Sequence, residues 1–290
     1  MQVTFWGVRG SIPTPGEFTR RYGGNSSCLE VRHPGLPPLV LDCGTGARAL
    51  GARLVAERGR ELHLLFTHLH LDHVFGLPFF APIYTPGYRN QIYVPAASVE
   101  HARERIGGYM GGVLHPSRLS DVDSQVEVHS VRAGRPFEPG GWRVTPVALN
   151  HPGGSLAYRV EAGSQCFVYV TDTSPFSRPD EGLSMGEPAT RAELRMASVL
   201  RGADLVVYDT MYTREEYLEK MTWGHSYPEY AVALCREAAV RNLILFHHLP
   251  DATDEDLDAL ASHWSAARDP RVTVAVEGRT VDVGEVDDVR

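Results

Sequence analysis

Four side chains able to bind metal fall within six residues of Thr67-His68-Leu69-His70-Leu71-Asp72-His73. His68 and His70 are two apart, so extended backbone sends both rings to one side. Asp72 and His73 follow where the chain has to turn, and they can face a second point. One tetrahedral ion accepts at most four ligands, and four such close neighbours converge on it only with strain. The spacing therefore suits two adjacent ions. Imidazole and carboxylate without thiolate predict a reactive zinc, manganese or iron site, not a closed structural one.

The elements that must carry this cluster follow from the apolar pattern. Leu62 to Phe66 reads as a buried strand that delivers the motif. Further strands are expected over 3–7, 27–32, 38–41, 92–94, 126–131, 142–149, 166–171, 204–208, 243–246 and 272–276. Helices are expected over 47–58, with Gly59 as the residue that ends it, and over 98–106, 190–201, 227–240 and 254–268. Gly107 to Gly112 reads as a loop that could serve as a lid or dimer contact, and Ser174 to Pro188 as an irregular connection. Six apolar runs end in a potentially chemical residue: Asp42, His68, His151, Asp172, Asp209 and His247. Active sites of α/β folds gather at one end of a sheet, so these six ends predict one site in one domain spanning 1–290.

Composition narrows the partners. A chain of 290 residues with 43% hydrophobic and 22% charged residues fits a soluble globular protein. The net charge of −8 weighs against a long nucleic acid as main partner, because phosphate binding rests on an excess of Lys and Arg. Cys28, Cys43, Cys166 and Cys235 show no C-x-x-C spacing and read as buried free thiols. With no signal-like or membrane-length apolar run, the cytoplasm is the expected compartment and no membrane partner is expected.

The stretch His68 to His73 resembles the H-x-H-x-D-H motif of the metallo-β-lactamase fold superfamily of metal-dependent hydrolases. An early Asp (Asp42), a lone His (His151), an Asp (Asp172) and a late His (His247) follow the order of that superfamily. The resemblance implies a four-layer αββα sandwich. It further implies that His68, His70 and His151 hold one ion, that Asp72, His73 and His247 hold a second, and that Asp172 bridges them. Asp42 would orient a ligand or the water between the ions. His248 is the alternative to His247.

Within the superfamily the chain is most similar to the tRNase Z-like branch and the phosphoribosyl cyclic phosphate phosphodiesterases. Phe5 to Pro13, Leu41 to Gly46 and Gly224-His225-Ser226 carry that similarity. Ser226 and Glu229 fit a capping box, which would set His225 ahead of a helix N-terminus, where phosphate is favoured. Short tRNase Z enzymes carry a tRNA-gripping arm between the lone His and the bridging Asp. Here only 20 residues separate His151 from Asp172.

The expected function is therefore hydrolysis of a small phosphodiester, a cyclic nucleotide or cyclic ribose phosphate, with tRNA not expected as substrate. Two divalent ions, zinc before manganese or iron, would activate water and stabilise charge on phosphoryl oxygens. His225 would assist the leaving oxygen, so the catalytic roles fall to His225, Asp42 and Asp72. Arg9, Arg20 and Arg21 are candidates for phosphate contact. A homodimer is expected from the resemblance. The alternatives are a glyoxalase II-like thioesterase or other small-ester hydrolase and, in another class, a non-catalytic metal-bound partner or sensor protein.

Overall fold

A computed structural model describes residues 1–111, 114–176 and 191–284. Two sheets form the interior. The first has seven strands in the order β13-β1-β2-β3-β4-β5-β6. These are Thr280–Asp282, Gln2–Gly7, Cys28–Arg32, Leu39–Leu41, Glu61–Leu65, Arg89–Pro95 and Gln125–Val131. The second has six in the order β12-β11-β10-β9-β8-β7, namely Arg271–Val274, Asn242–Phe246, Leu205–Asp209, Gln165–Val170, Leu156–Ala162 and Arg143–Ala148.

The continuous apolar runs are explained by burial on both faces. In β3, Leu39 and Leu41 enter the core between the sheets, whereas Val40 faces outward under α1 (Ala47–Ala56) and α3 (Val99–Gly107). In β10, Leu205 and Val207 point into the central core. Val206 and Tyr208 point into the outer one, which α4 (Arg191–Leu200), α6 (Pro228–Glu237) and α7 (Asp254–Trp264) cover. Helices thus pack outside both sheets, and the αββα sandwich is the architecture.

Strand direction explains why the chemistry collects on one rim. β3 to β6 run parallel, and so do β9 to β12. β7 is antiparallel to β8, which is antiparallel to β9, so β7 also runs with β9. Every strand that ends in a candidate residue therefore delivers it to the same edge.

Several elements differ from the sequence expectation. β8 was not expected, although Tyr158, Val160 and Ala162 alternate with Arg159 and Glu161. β13 has no counterpart among the expected strands; three residues are too short for a periodic signal. A short helix, α5 (Arg214–Glu219), starts on a Thr213/Glu216 capping box, and α2 (Leu71–Val74) coils part of the histidine motif. α1 stops at Ala56, and Arg58 rather than Gly59 takes the left-handed turn, with φ 57°. Of the Gly107–Gly112 stretch, Gly107 closes α3 and the Tyr109 hydroxyl donates to the Leu69 carbonyl, while Gly112 lies outside the described residues. Most of the 174–188 connection, from 177 onward, also lies outside them. All four cysteines are buried and free. Among the described residues no helix is long and apolar enough to cross a membrane.

Candidate metal centre

Each strand end turns sharply into the site. Asp42 and His247, directly after β3 and β11, and Asp172, two residues after β9, all have left-handed backbone, with φ of 59°, 65° and 49°. L residues take that conformation at a cost of roughly 1–3 kcal/mol each, and such strain collects at functional sites. Here it falls on three of the candidate residues themselves.

Two groups of ligand atoms result, sharing one carboxylate. His68, His70, His151 and Asp172 bring one atom each to within 4.8 Å of one another, and so do Asp72, His73, Asp172 and His247. His151 Nε2 is 3.1 Å from His70 Nδ1, and Asp172 Oδ2 is 3.6 Å from His68 Nε2. On the other side, Asp172 Oδ1 is 3.1 Å from both His73 Nε2 and His247 Nε2, and Asp72 Oδ2 is 3.1 Å and 3.2 Å from the same two atoms. The first group contains the exposed His70 and meets solvent, whereas the second is fully enclosed. Asp172, with one oxygen toward each group, stands where a bridge between two ions would stand.

The electrostatics ask for positive charge at this point. Burial works against an ionised Asp172, yet His247, His73 and His68 hold it well below the usual carboxylate range. Asp72 is held low in the same way, chiefly by His73. His73, fully buried, is raised well above the ordinary imidazole value because Asp72, Asp172 and Asp42 outweigh its desolvation. His68 is lowered well below it by burial and by the charge of its imidazole neighbours. Neither Nε2 of His68 nor that of His73, both buried, makes a hydrogen bond of good geometry, although Asp172 oxygens stand 3.6 Å and 3.1 Å away. Buried polar atoms normally have one. Nitrogen and oxygen donors facing each other around two such points fit a pair of divalent metal ions.

Supporting contacts orient the ligands. Asp42 is buried; its carboxylate accepts from Thr67 N (2.8 Å), from the Tyr169 hydroxyl (3.1 Å) and from His73 Nδ1 (2.8 Å). It thereby leaves His73 Nε2 to face the centre, as carboxylates behind metal-binding histidines do. Asp42→Ala is expected to weaken metal affinity about 10–100-fold with the fold intact, measured by competition with a chelator. His151 Nδ1 donates to the Gly224 carbonyl (2.9 Å), and Ser11 N donates to Asp72 (2.9 Å).

The doublet is resolved by geometry. His247 enters the cluster, whereas His248 turns away and donates to the Ala275 carbonyl at 2.9 Å; burial pushes its pKa down to about 3.

His225 reaches the same edge by a different route from the one expected. α6 is capped by Tyr227 with Pro228 in its first turn. Ser226 lies before the cap, and its buried hydroxyl has no partner, so the Ser226/Glu229 capping box does not form. Pro228, which favours the first helical position, was the stronger signal. His225 instead stacks on His247 at 5.1 Å and donates from Nδ1 to Asp209 Oδ2 at 3.0 Å. Burial alone would lower its pKa, but Asp209, then Asp172 and Asp72, raise it to about 9. Asp209, a strand end without an assigned role in the sequence, is fixed in turn by Thr173 N and Met211 N.

Two glycines matter for a reason that spacing does not reveal. A Cβ on Gly10 would stand 2.6 Å from the His247 ring. One on Gly224, at φ 92°, would stand 2.3 Å from His151 Nδ1. Gly224→Ala is expected to displace His151 and lower turnover about 100-fold, as a shift of about 1 Å does, with loss of metal read by elemental analysis. Two of the three candidate arginines are engaged elsewhere: Arg9 is buried and donates to the carbonyls of Gly23, Leu249 and Ala252, and Arg21 pairs with Asp254, Glu255 and Asp258; Arg20 is exposed.

Known proteins share this arrangement of chain. The family profile described as Beta-lactamase superfamily domain matches residues 39–248. A Ribonuclease Z of Synechococcus sp. (strain CC9311) is 26% identical over 329 aligned positions, covering 98% of this chain and 99% of the relative. Among solved structures, the metallo-beta-lactamase fold protein YhfI of Bacillus subtilis superposes with a TM-score of 0.68 at 19% identity, over 96% of this chain and 98% of its own. A diphosphatase from the PhnP family superposes with a TM-score of 0.64 at 17% identity, over 98% of each chain.

Proposed function

This chain belongs to the beta-lactamase superfamily, and on that footing we propose that it is a dinuclear metal-dependent phosphodiesterase acting on a small phosphodiester, a cyclic nucleotide or cyclic ribose phosphate. The observation that carries the reading is Asp172, one oxygen toward each of two ligand groups, with the Asp209–His225 pair beside them. His68, His70 and His151 would hold one ion, Asp72, His73 and His247 the other, and Asp172 both; zinc suits the donors best. Such ions supply Lewis-acid activation of water and of the phosphoryl oxygens.

The chain's own groups then have distinct work. Asp42 and the Gly224 carbonyl hold the rings of His73 and His151 so that Nε2 faces the centre in each. Asp209 keeps a proton on His225 Nδ1, which leaves Nε2 to donate to the leaving oxygen. An alkoxide leaves slowly without a proton, so this donation acts on the bond-breaking step.

Two features support a small substrate. Between His151 and Asp172 the chain is used up by β8 and β9, joined by a turn at Gly163-Ser164, with no projecting arm. The alignment with the Synechococcus relative runs over 329 positions against a chain of 290 residues, so that relative carries at least 39 residues absent here. The names of that Ribonuclease Z and of the PhnP-family diphosphatase both describe attack at phosphorus, which favours phosphodiester over thioester chemistry. Metal-loaded protein, with its metal quantified, should hydrolyse cyclic mononucleotides or phosphoribosyl cyclic phosphate. Turnover of a thioester alone would overturn the reading.

A further inference from the structure

Large apolar side chains exposed singly are ordinary on any protein surface. Here several emerge from the very segments that hold the ligands. Ile12, 54% exposed, follows Ser11, whose N–H donates to Asp72. Leu71, 52% exposed, lies between His70 and Asp72. Met221 is exposed, and its carbonyl accepts from Ser174, two residues beyond Asp172. Trp223, 64% exposed, is followed by Gly224, which holds His151, and by His225. Its Cα is therefore about 3.8 Å from that of Gly224, and the segment is tied down by the Trp223 N–H to the Lys220 carbonyl (2.9 Å).

An indole 64% exposed next to the candidate site buries little of its surface within the chain. It does offer a flat π face, to which any nucleobase can stack. We infer that Trp223 is a specificity residue that stacks on the base of a nucleotide substrate, so that the preferred diesters carry a nucleobase and not a bare sugar. This inference rests on the phosphodiesterase reading above. Ile12, Leu71 and Met221, exposed on other segments tied to the candidate ligands, add apolar surface that suits a base better than a bare, polyhydroxylated sugar phosphate.

The test compares 2′,3′-cyclic AMP with the 2,3-cyclic phosphate of methyl riboside, which has the same reacting ring and no base. The full-length, metal-loaded protein and its Trp223→Ala and Trp223→Phe variants are assayed on both. The ratio of kcat/KM, base-bearing over base-free, is expected to exceed one in the parent. It should fall about 10-fold in Trp223→Ala, mainly through KM, and be largely kept in Trp223→Phe, which retains a stacking ring. A parent ratio of one or less, or a ratio unchanged in Trp223→Ala, overturns the stacking inference while leaving the phosphodiesterase reading standing. Failure of the parent to turn over either diester overturns the stacking inference, and failure extending to 3′,5′-cyclic mononucleotides and phosphoribosyl cyclic phosphate overturns the phosphodiesterase reading as well.

Discussion

Asp172→Asn is expected to cost about 10³-fold in kcat and to drop the metal content from about two ions per chain to one or fewer, because several kcal/mol of charge stabilisation rest on this centre. Asn keeps the size of the side chain and tolerates the left-handed backbone that position 172 adopts (φ 49°). What it lacks is the charge. In the parent, one carboxylate oxygen stands 3.1 Å from both His73 and His247 and the other 3.6 Å from His68. Removing the anion leaves His73 Nε2 and His247 Nε2 with Asp72 as their remaining carboxylate neighbour in that group. Elemental analysis and circular dichroism on the same sample separate loss of ions from loss of fold. A folded Asp172→Asn protein with full metal content and full turnover would refute the bridging assignment.

The second large effect concerns His225. His225→Gln is expected to lower kcat by about 10²–10⁴-fold on a diester with an alkoxide leaving group, and by less than about 10-fold on a p-nitrophenyl diester. Nitrophenolate departs without a proton, so it bypasses the donor. His225 contacts the centre through its stacking on His247 and through Asp209, so the metal content should hold. Equal losses on both substrates would assign His225 to binding or to structure instead of to proton donation.

Much of this candidate site could be read from residue order because its candidate ligands sit at the ends of apolar strands, and apolar runs are the most readable feature of a buried sheet. His68 to His73 split into two pairs as their spacing implies, and the fold brings His151, Asp172 and His247 to them. What spacing could not supply was tertiary. His247 and His248 are equivalent in one dimension; in the fold His247 has left-handed backbone, and His248 bonds to the carbonyl of Ala275, on the segment just after β12. Asp209 acquires a role because β10 lies between β9 and β11, which sets it beside His225. Gly10 and Gly224 matter through rings contributed from His247 and His151, far along the chain. At Ser226 the departure is local: the residues fit a capping box, but Pro228, two residues on, sets the first turn.

The assignment of a small diester, against the RNA substrate that the name of the Synechococcus relative describes, is decided by one comparison. It is the ratio of kcat/KM for a 2′,3′-cyclic mononucleotide to that for 3′-trailer cleavage of a precursor tRNA, measured on one metal-loaded preparation. A chain whose β8–β9 hairpin fills the interval from His151 to Asp172, and whose net charge is −8, should favour the cyclic mononucleotide by about 10²-fold or more, since phosphate-backbone affinity requires basic surface. A ratio below one, with accurate trailer removal, would contradict the small-substrate account.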